Sequence, residues 1–152
     1  MARGYAPVAA VLLLAVTVVA AGTVLVFLPS VPGEPPPKRA VAVDAAADGR
    51  VELTLVSGPA IDVRDLEATV SVDGTRLADQ PPVPFFAAAG FVSGPTGPFN
   101  VADDPTWTVG ETATFQVADT NEPAVAAGAE LRVALRVRGR VVAVVQTTVG
   151  DA

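Results

Sequence analysis

Apolar and polar residues follow two different patterns in this chain, one before Pro29 and one after it. From Val8 to Leu28 the sequence is uncharged, and its only polar side chains are two threonine hydroxyls. As a helix this run is about 30 Å long, the thickness of the hydrocarbon core of a bilayer. Lipid offers no hydrogen-bond partners to open backbone groups, which favours a helix. We therefore predict one hydrophobic helix over residues 5–28.

Small side chains gather on one side of this predicted helix, within about one third of its circumference. They are Ala6, Ala9, Ala10, Thr17, Ala20 and Ala21. Lipid gives two helices no hydrophobic reason to associate, so close packing through small residues is a usual device. We therefore expect Ala6, Ala10, Thr17 and Ala21 to pack against neighbouring helices. The alternative is a plain signal anchor whose helix stays in lipid. The run is longer than the apolar segment of about 7–15 residues in a cleaved secretory signal.

Beyond the helix the pattern changes to that of a linker and a β domain. Residues 29–39 are rich in proline, which favours an extended, semi-rigid spacer. Residues 40–152 alternate apolar with polar in short stretches bounded by turn residues, as half-buried strands do. About seven such strands predict an antiparallel sandwich, with 131–138 and 141–149 paired as a hairpin. The fold class predicted for the whole chain is α+β, one N-terminal hydrophobic helix followed by an all-β antiparallel sandwich.

Residues 79–110 are the least regular part of the predicted domain, because prolines and glycines interrupt them throughout. The aromatic residues in this segment are Phe85, Phe86, Phe91, Phe99 and Trp107. We expect them to fold back and close one end of the core, since exposed apolar patches are rare on monomers. The alternatives are a binding surface and a contact with a neighbouring subunit.

The charge is acidic overall, with a net charge of −6, but the sign changes along the chain. Carboxylates dominate residues 44–130, whereas the last strands carry a row of arginines at 132, 136, 138 and 140. An acidic surface repels phosphate backbones, so nucleic acid is not expected as a partner. We expect the arginine row to be a solvated strand face. The acidic face of a neighbouring subunit is the alternative partner for this row.

The chemical inventory of the chain is short. Neither histidine nor cysteine occurs, which removes the commonest general base, nucleophile and metal ligands. We expect no catalytic residue, no cofactor, no metal and no small-molecule substrate. Asp103-Asp104-Pro105 is predicted to be a turn. A calcium site there, or with Asp119 and Glu122, is the less favoured reading, because Ca²⁺ needs about six or more converging oxygens.

The first residues of the chain carry a motif. Residues 3–8 read Arg-Gly-Tyr-Ala-Pro-Val, and residues 15–18 read Ala-Val-Thr-Val. This opening resembles the archaeal type IV pilin N-terminal domain family. That family has Arg-Gly, one variable residue and Ser-Pro-Val-Ile-Gly, followed by an apolar run with Ala-(Ile/Val)-Thr-(Val/Ile). Ala6 replaces the serine and Ala9-Ala10 replace the Ile-Gly pair, while the other positions agree in type and spacing.

The resemblance implies how the chain is processed and where it goes. Residues 1–4 are then a prepilin-type leader, which a membrane prepilin peptidase removes by cutting between Gly4 and Tyr5, next to the basic Arg3. The N-terminus is implied to be cytoplasmic before processing, and the domain to lie outside the membrane. The implied function is that of a major or minor subunit of a surface filament, displaying the β domain for uses such as adhesion.

The resemblance also names the expected partners, which are other pilin subunits in a homo- or hetero-filament. The single lysine against nine arginines, with abundant aspartate and alanine, is similar to the usage of haloarchaeal proteins. A function from another class remains open, a monomeric membrane-anchored extracellular binding module whose helix is never processed. N-terminal sequencing separates the two, since only the pilin loses its first residues.

Overall fold

The computed structural model describes residues 39–152, and the predicted leader, helix and nearly all of the linker lie outside the described residues. The described part is all-β and contains no α-helix, as predicted for residues 40–152. Within it, no helix has the length and apolar character needed to cross a membrane.

The described residues form nine strands. In chain order, the strands are β1 (Ala40–Ala45), β2 (Arg50–Ser57), β3 (Ile61–Asp62), β4 (Leu66–Val72), β5 (Thr75–Arg76), β6 (Thr106–Trp107), β7 (Thr112–Gln116), β8 (Glu130–Val137) and β9 (Arg140–Thr148). Two 3₁₀ turns cover Val63–Asp65 and Gly97–Phe99. Six of the nine strands have five or more residues, close to the expected seven. The other three, β3, β5 and β6, have only two residues each, too few for an alternating pattern to reveal.

Two main sheets carry the architecture, and all their strand pairs are antiparallel. One sheet has the order β1-β2-β7, the other has the order β5-β4-β8-β9, and β3 pairs with β6 separately. The predicted hairpin is confirmed, since β8 and β9 pair from Glu130↔Thr148 to Val137↔Arg140. A two-residue turn at Arg138 and Gly139, both with positive φ, joins these strands, which is the backbone a tight hairpin prefers.

One core lies between the two main sheets. Alternate residues of β2 (Val51, Leu53 and Leu55) and of β8 (Leu131, Val133 and Leu135) are fully buried. These residues belong to one continuous cluster, so the two sheets face each other in a sandwich-like arrangement. This is the outcome that period-two alternation predicts, because it places every second side chain on one face of the sheet.

The segment after β2 combines a very short strand with a helical turn. Residues 61–62 form β3, and Val63–Asp65 form a 3₁₀ turn. The carboxylate of Asp62 accepts the backbone N–H of Arg64 at 3.0 Å, which caps that turn. A short polar side chain that bonds its own backbone in this way favours a turn over a continued strand.

The irregular segment between β5 and β7 covers the outer edge of β7. Thr96 and Thr114 exchange backbone hydrogen bonds of 2.9 and 3.1 Å, and Val92 donates to the carbonyl of Gln116 at 2.9 Å. Such pairing satisfies backbone groups that a bare edge strand leaves open. The loop therefore extends the β1-β2-β7 sheet without forming a regular strand.

Candidate interaction surfaces

The residues predicted to be processed and to pack in a filament lie outside the described residues. They are Arg3, Gly4 and Tyr5 at the leader site, and Ala6, Ala10, Thr17 and Ala21 on the helix. Their roles stay predictions from the sequence. The surfaces described below all belong to the β domain.

Most aromatic side chains of the irregular segment fold back into the core. Four of the five predicted residues are buried, namely Phe85, Phe91, Phe99 and Trp107. The rings of Phe99 and Trp107 meet edge to face with centroids 5.4 Å apart, an arrangement favoured by aromatic quadrupoles. The indole N–H of Trp107 donates to the carbonyl of Glu111 at 2.8 Å, so its polar atom is satisfied. The prediction that the aromatic side chains fold back into the core is confirmed for these four residues.

Phe86 is the exception, since 56% of it is exposed. Its carbonyl accepts the N–H of Gly94 at 2.8 Å, which fixes the backbone while the ring stays at the surface. Val92 and Val101 of the same segment are also exposed. The loop therefore offers apolar side chains to solvent, and they form the first candidate contact surface.

The second candidate surface lies on the outer side of the β5-β4-β8-β9 sheet. Ser71 of β4 lies between Arg76 of β5 and Arg132 of β8 in the strand register, so both arginines share its face. Arg136 follows two positions after Ala134 on the same side of β8. The register sets Val144 opposite Ala134 and Val141 opposite Arg136. We call these five residues, Arg76, Arg132, Arg136, Val141 and Val144, the valine–arginine face.

The predicted row of four arginines does not stay together. Arg132 and Arg136 lie on the outer face of β8, but the strand ends at Val137. Arg138 lies in the hairpin turn, and its guanidinium pairs with the carboxylate of Asp65 at 3.1 Å. Arg140 begins β9. The expectation of one continuous solvated strand face is therefore wrong for the last two arginines, because period-two alternation stops where the turn begins.

The third candidate surface is acidic and lies on the outer side of the β1-β2-β7 sheet. Asp44 of β1 is directly opposite Glu52 of β2. The guanidinium of Arg50 lies 3.5 Å from the Glu52 carboxylate, and Asp151 lines the same shallow depression. Val56, further along β2 on the same side, is 53% exposed. We call Asp44, Glu52, Val56 and Asp151 the acidic face.

Asp62 and Arg64 form the best-defined ion pair of the described domain. Two nitrogens of the guanidinium donate to the two carboxylate oxygens at 2.9 and 2.7 Å. The side-chain hydrogen bonds from Arg64, helped by its backbone N–H, lower the pKa of Asp62 from 3.8 to about 2. The same contact raises the pKa of the Arg64 guanidinium. The side chain of Arg64 is 67% exposed and that of Asp62 is 39% exposed, so this pair fixes the turn after β3 rather than forming a buried site.

The aspartates proposed as a turn behave as one. Asp103 accepts the backbone N–H of Asp104 at 2.8 Å, and Asp104 accepts that of Thr106 at 2.9 Å. Among residues 39–152, no group of three or more histidine, cysteine, aspartate or glutamate side chains is arranged to hold a metal ion. Asp119 and Glu122, the other pair considered for calcium, are exposed loop residues.

Sequence reasoning missed two features of these surfaces. Val141 and Val144 face outward together because of a bulge in the β8–β9 register next to Arg136, which shifts the alternation of β9 by one residue. No residue type in β9 signals that bulge. The pairing of Asp44 with Glu52 was also missed, since it depends on register. The Asp-Gly turn at residues 48–49 was the available clue, because a short turn fixes the register of its strands.

No protein-family model matches the sequence, and the search of curated proteins gave no match. The resemblance to the archaeal type IV pilin N-terminal domain family therefore rests on the motif residues within positions 3–18.

Proposed function

We propose that this chain is a structural subunit, major or minor, of an archaeal type IV pilus-like surface filament. The observation that carries the proposal is the N-terminal sequence, in which Arg3-Gly4 precedes Pro7-Val8 and a long uncharged run with a small-residue face. In this proposal a prepilin peptidase removes residues 1–4. The hydrophobic helix then leaves the bilayer and packs with the helices of other subunits.

The energetics of that transfer favour processing before assembly. Removal of Arg3 leaves the α-amino group as the only charge ahead of the helix, which makes departure from lipid less costly. Burial among other helices replaces the lipid contacts, and small side chains such as Ala10 and Ala21 allow the backbones to approach closely. The chain is thus anchored in the membrane first and displayed at the cell surface afterwards.

The described β domain supports this role as the displayed part of the subunit. Strand β1 begins at Ala40, immediately after the proline-rich linker. The guanidinium of Arg39 donates to the carbonyl of Pro59 at 3.0 Å, which fastens the end of the linker to the loop after β2. The proposed role is structural rather than catalytic.

The proposal is tested by replacing small residues on the predicted packing face of the helix with larger ones. Ala10→Leu and Ala21→Leu add volume where helices approach, yet they raise the hydrophobicity that drives membrane insertion. We expect both variants to reduce the yield of surface filaments, measured by electron microscopy and by mass spectrometry of purified filaments. Ala15→Leu is the matched control and should leave filaments intact, because about 100° per residue would place Ala15 opposite the small-residue face of the predicted helix.

The second candidate function is a monomeric membrane-anchored extracellular binding module. The exposed Phe86, Val92 and Val101 favour it, since exposed apolar side chains on a loop are typical of contact sites. In that case Ala10→Leu and Ala21→Leu leave the surface protein unchanged in amount and state. Phe86→Ala would then abolish binding to the target while leaving membrane attachment unaffected.

A further inference from the structure

The valine–arginine face differs from the rest of the described domain in both charge and hydrophobicity. Carboxylates outnumber arginines by about two to one over residues 39–152. This sheet face reverses the balance, with three arginines against two carboxylates, Glu67 opposite Arg136 and Glu130 at the start of β8. Val141 and Val144 are each 45% exposed and lie beside Arg136 and Ala134 in the register. Depletion of apolar side chains is the rule on a solvated strand face, so this combination indicates a contact surface.

The acidic face has the complementary properties on the other sheet. Asp44 and Glu52 are directly opposite each other, and like charges in that position are destabilising. Arg50 pairs with Glu52, and Asp44 accepts the backbone N–H of Ala45 at 3.0 Å. A further cation at this place would relieve the repulsion between the two carboxylates. Val56 supplies an exposed apolar side chain on the same face.

We propose that the valine–arginine face of one copy docks on the acidic face of a second copy of this chain. The contact rests on the proposed filament function, because that function is what brings copies together. It is heterologous, joining two different patches. The outer faces of two sheets in a sandwich-like domain point away from each other, so each copy keeps one free face of each kind. Such a contact does not close on itself and repeats along a row of domains.

The contact is expected to be weak on its own and effective between tethered copies. Exposed ion pairs contribute little individually, and two valines bury a modest apolar area. Copies held side by side by their helices have a high effective concentration, which makes a weak contact populated. The helices therefore initiate the assembly, and docking between the domains fixes how neighbouring domains are aligned through their charges.

The chain lacks cysteine, so engineered thiols report the contact cleanly. Full-length Val144→Cys and Val56→Cys copies, carrying tags of different size, are co-expressed and treated with a short bismaleimide at the cell surface. We expect the mixed Val144–Val56 product to exceed the Val144–Val144 product. Thr120→Cys, at an exposed turn residue that belongs to none of the three candidate surfaces, replaces Val56→Cys as the control and should give only background.

Charge reversal tests the proposed complementarity. Arg132→Glu on the Val144→Cys copy is expected to lower the mixed product about tenfold, since juxtaposed like charges are strongly unfavourable. Arg136→Glu should act in the same direction. When the Val144→Cys copy carries Arg132→Glu, adding Glu52→Arg to the Val56→Cys copy should restore the yield of the mixed product. The fluorescence of Trp107, the only tryptophan in the chain, verifies that each variant is folded.

The possible outcomes distinguish a failure of the docking proposal from a failure of the filament proposal. A mixed product no greater than the Thr120→Cys control, or a dominant Val144–Val144 product, overturns the docking. The same holds if Glu52→Arg fails to rescue Arg132→Glu. Intact filaments in any of these cases leave the proposed function standing. A rescued mixed product from cells without filaments supports the docking and contradicts the filament function.

Discussion

The side chain of Asn121 holds the backbone of Asp79 through two hydrogen bonds, although the two residues are far apart in the sequence. The N–H of Asp79 donates to Oδ1 of Asn121 at 3.1 Å, and Nδ2 of Asn121 donates to the carbonyl of Asp79 at 2.9 Å. Nδ2 also reaches the carbonyl of Gly90 at 3.2 Å. Asn121 is 1% exposed, and one amide thus satisfies backbone groups of two loop segments.

Asn121→Ala is expected to destabilise the domain by about 1–3 kcal/mol, because buried backbone donors and acceptors lose their partners. Thermal unfolding followed by Trp107 fluorescence measures the change. Gln146→Ala is the matched control, since Gln146 is an exposed strand residue and its loss should cost less than about 0.5 kcal/mol. Equal melting temperatures for the two variants would contradict the structural role of Asn121.

Two glycines in turns allow the cost of backbone strain to be distinguished from the cost of a steric clash. Gly49 and Gly74 both have positive φ, +92° and +81° respectively. A Cβ at Gly49 would overlap the carbonyl oxygen of Val117, whereas a Cβ at Gly74 would meet nothing within 4 Å. Gly74→Ala should therefore cost about 1–2 kcal/mol from its left-handed conformation alone. Gly49→Ala should cost about 3 kcal/mol or more, since overpacking adds to the strain. Chemical denaturation of both variants tests the order, and similar losses would be inconsistent with the close approach.

The Asp62–Arg64 pair predicts a pH dependence. The pKa of Asp62 is about 2 in the folded chain and 3.8 without its partner, so the ionised form is favoured by folding. The contribution of this pair is therefore fully present above about pH 4 and is lost as the pH falls towards 2. Asp62→Asn should lower the melting temperature at pH 6, and the gap to the original chain should close towards pH 2. A gap that stays constant over this range would refute the assignment.

Regular strands were predictable from the sequence, and the reason is visible in β2 and β8. Buried and solvent-facing side chains alternate along most of both strands. This period of two residues can be recognised in the sequence without knowing the partner strand. The loop before β7 was not predictable in the same way. Its hydrogen bonds to Thr114 and Gln116 are backbone contacts that no side-chain pattern encodes.

The aromatic residues of this loop were placed correctly except for Phe86. Phe85 and Phe86 are adjacent, and neighbouring side chains in an extended chain point to opposite sides. Burial of Phe85 therefore sends Phe86 towards solvent, an inference the sequence already allowed. The valine–arginine face could not be predicted from the sequence, because it depends on a bulge and on the register of three strand pairs.

The N-terminus of the mature surface protein tests the central proposal most directly. Gly4 has no side chain to hinder access to its peptide bond, and Arg3 favours the cytoplasmic edge of the membrane. Mass spectrometry of the purified surface protein should find a peptide that begins at Tyr5. That peptide should disappear in Gly4→Val and in Arg3→Glu. Recovery of an intact segment 2–5 on most of the surface protein would contradict the account and indicate an unprocessed anchor.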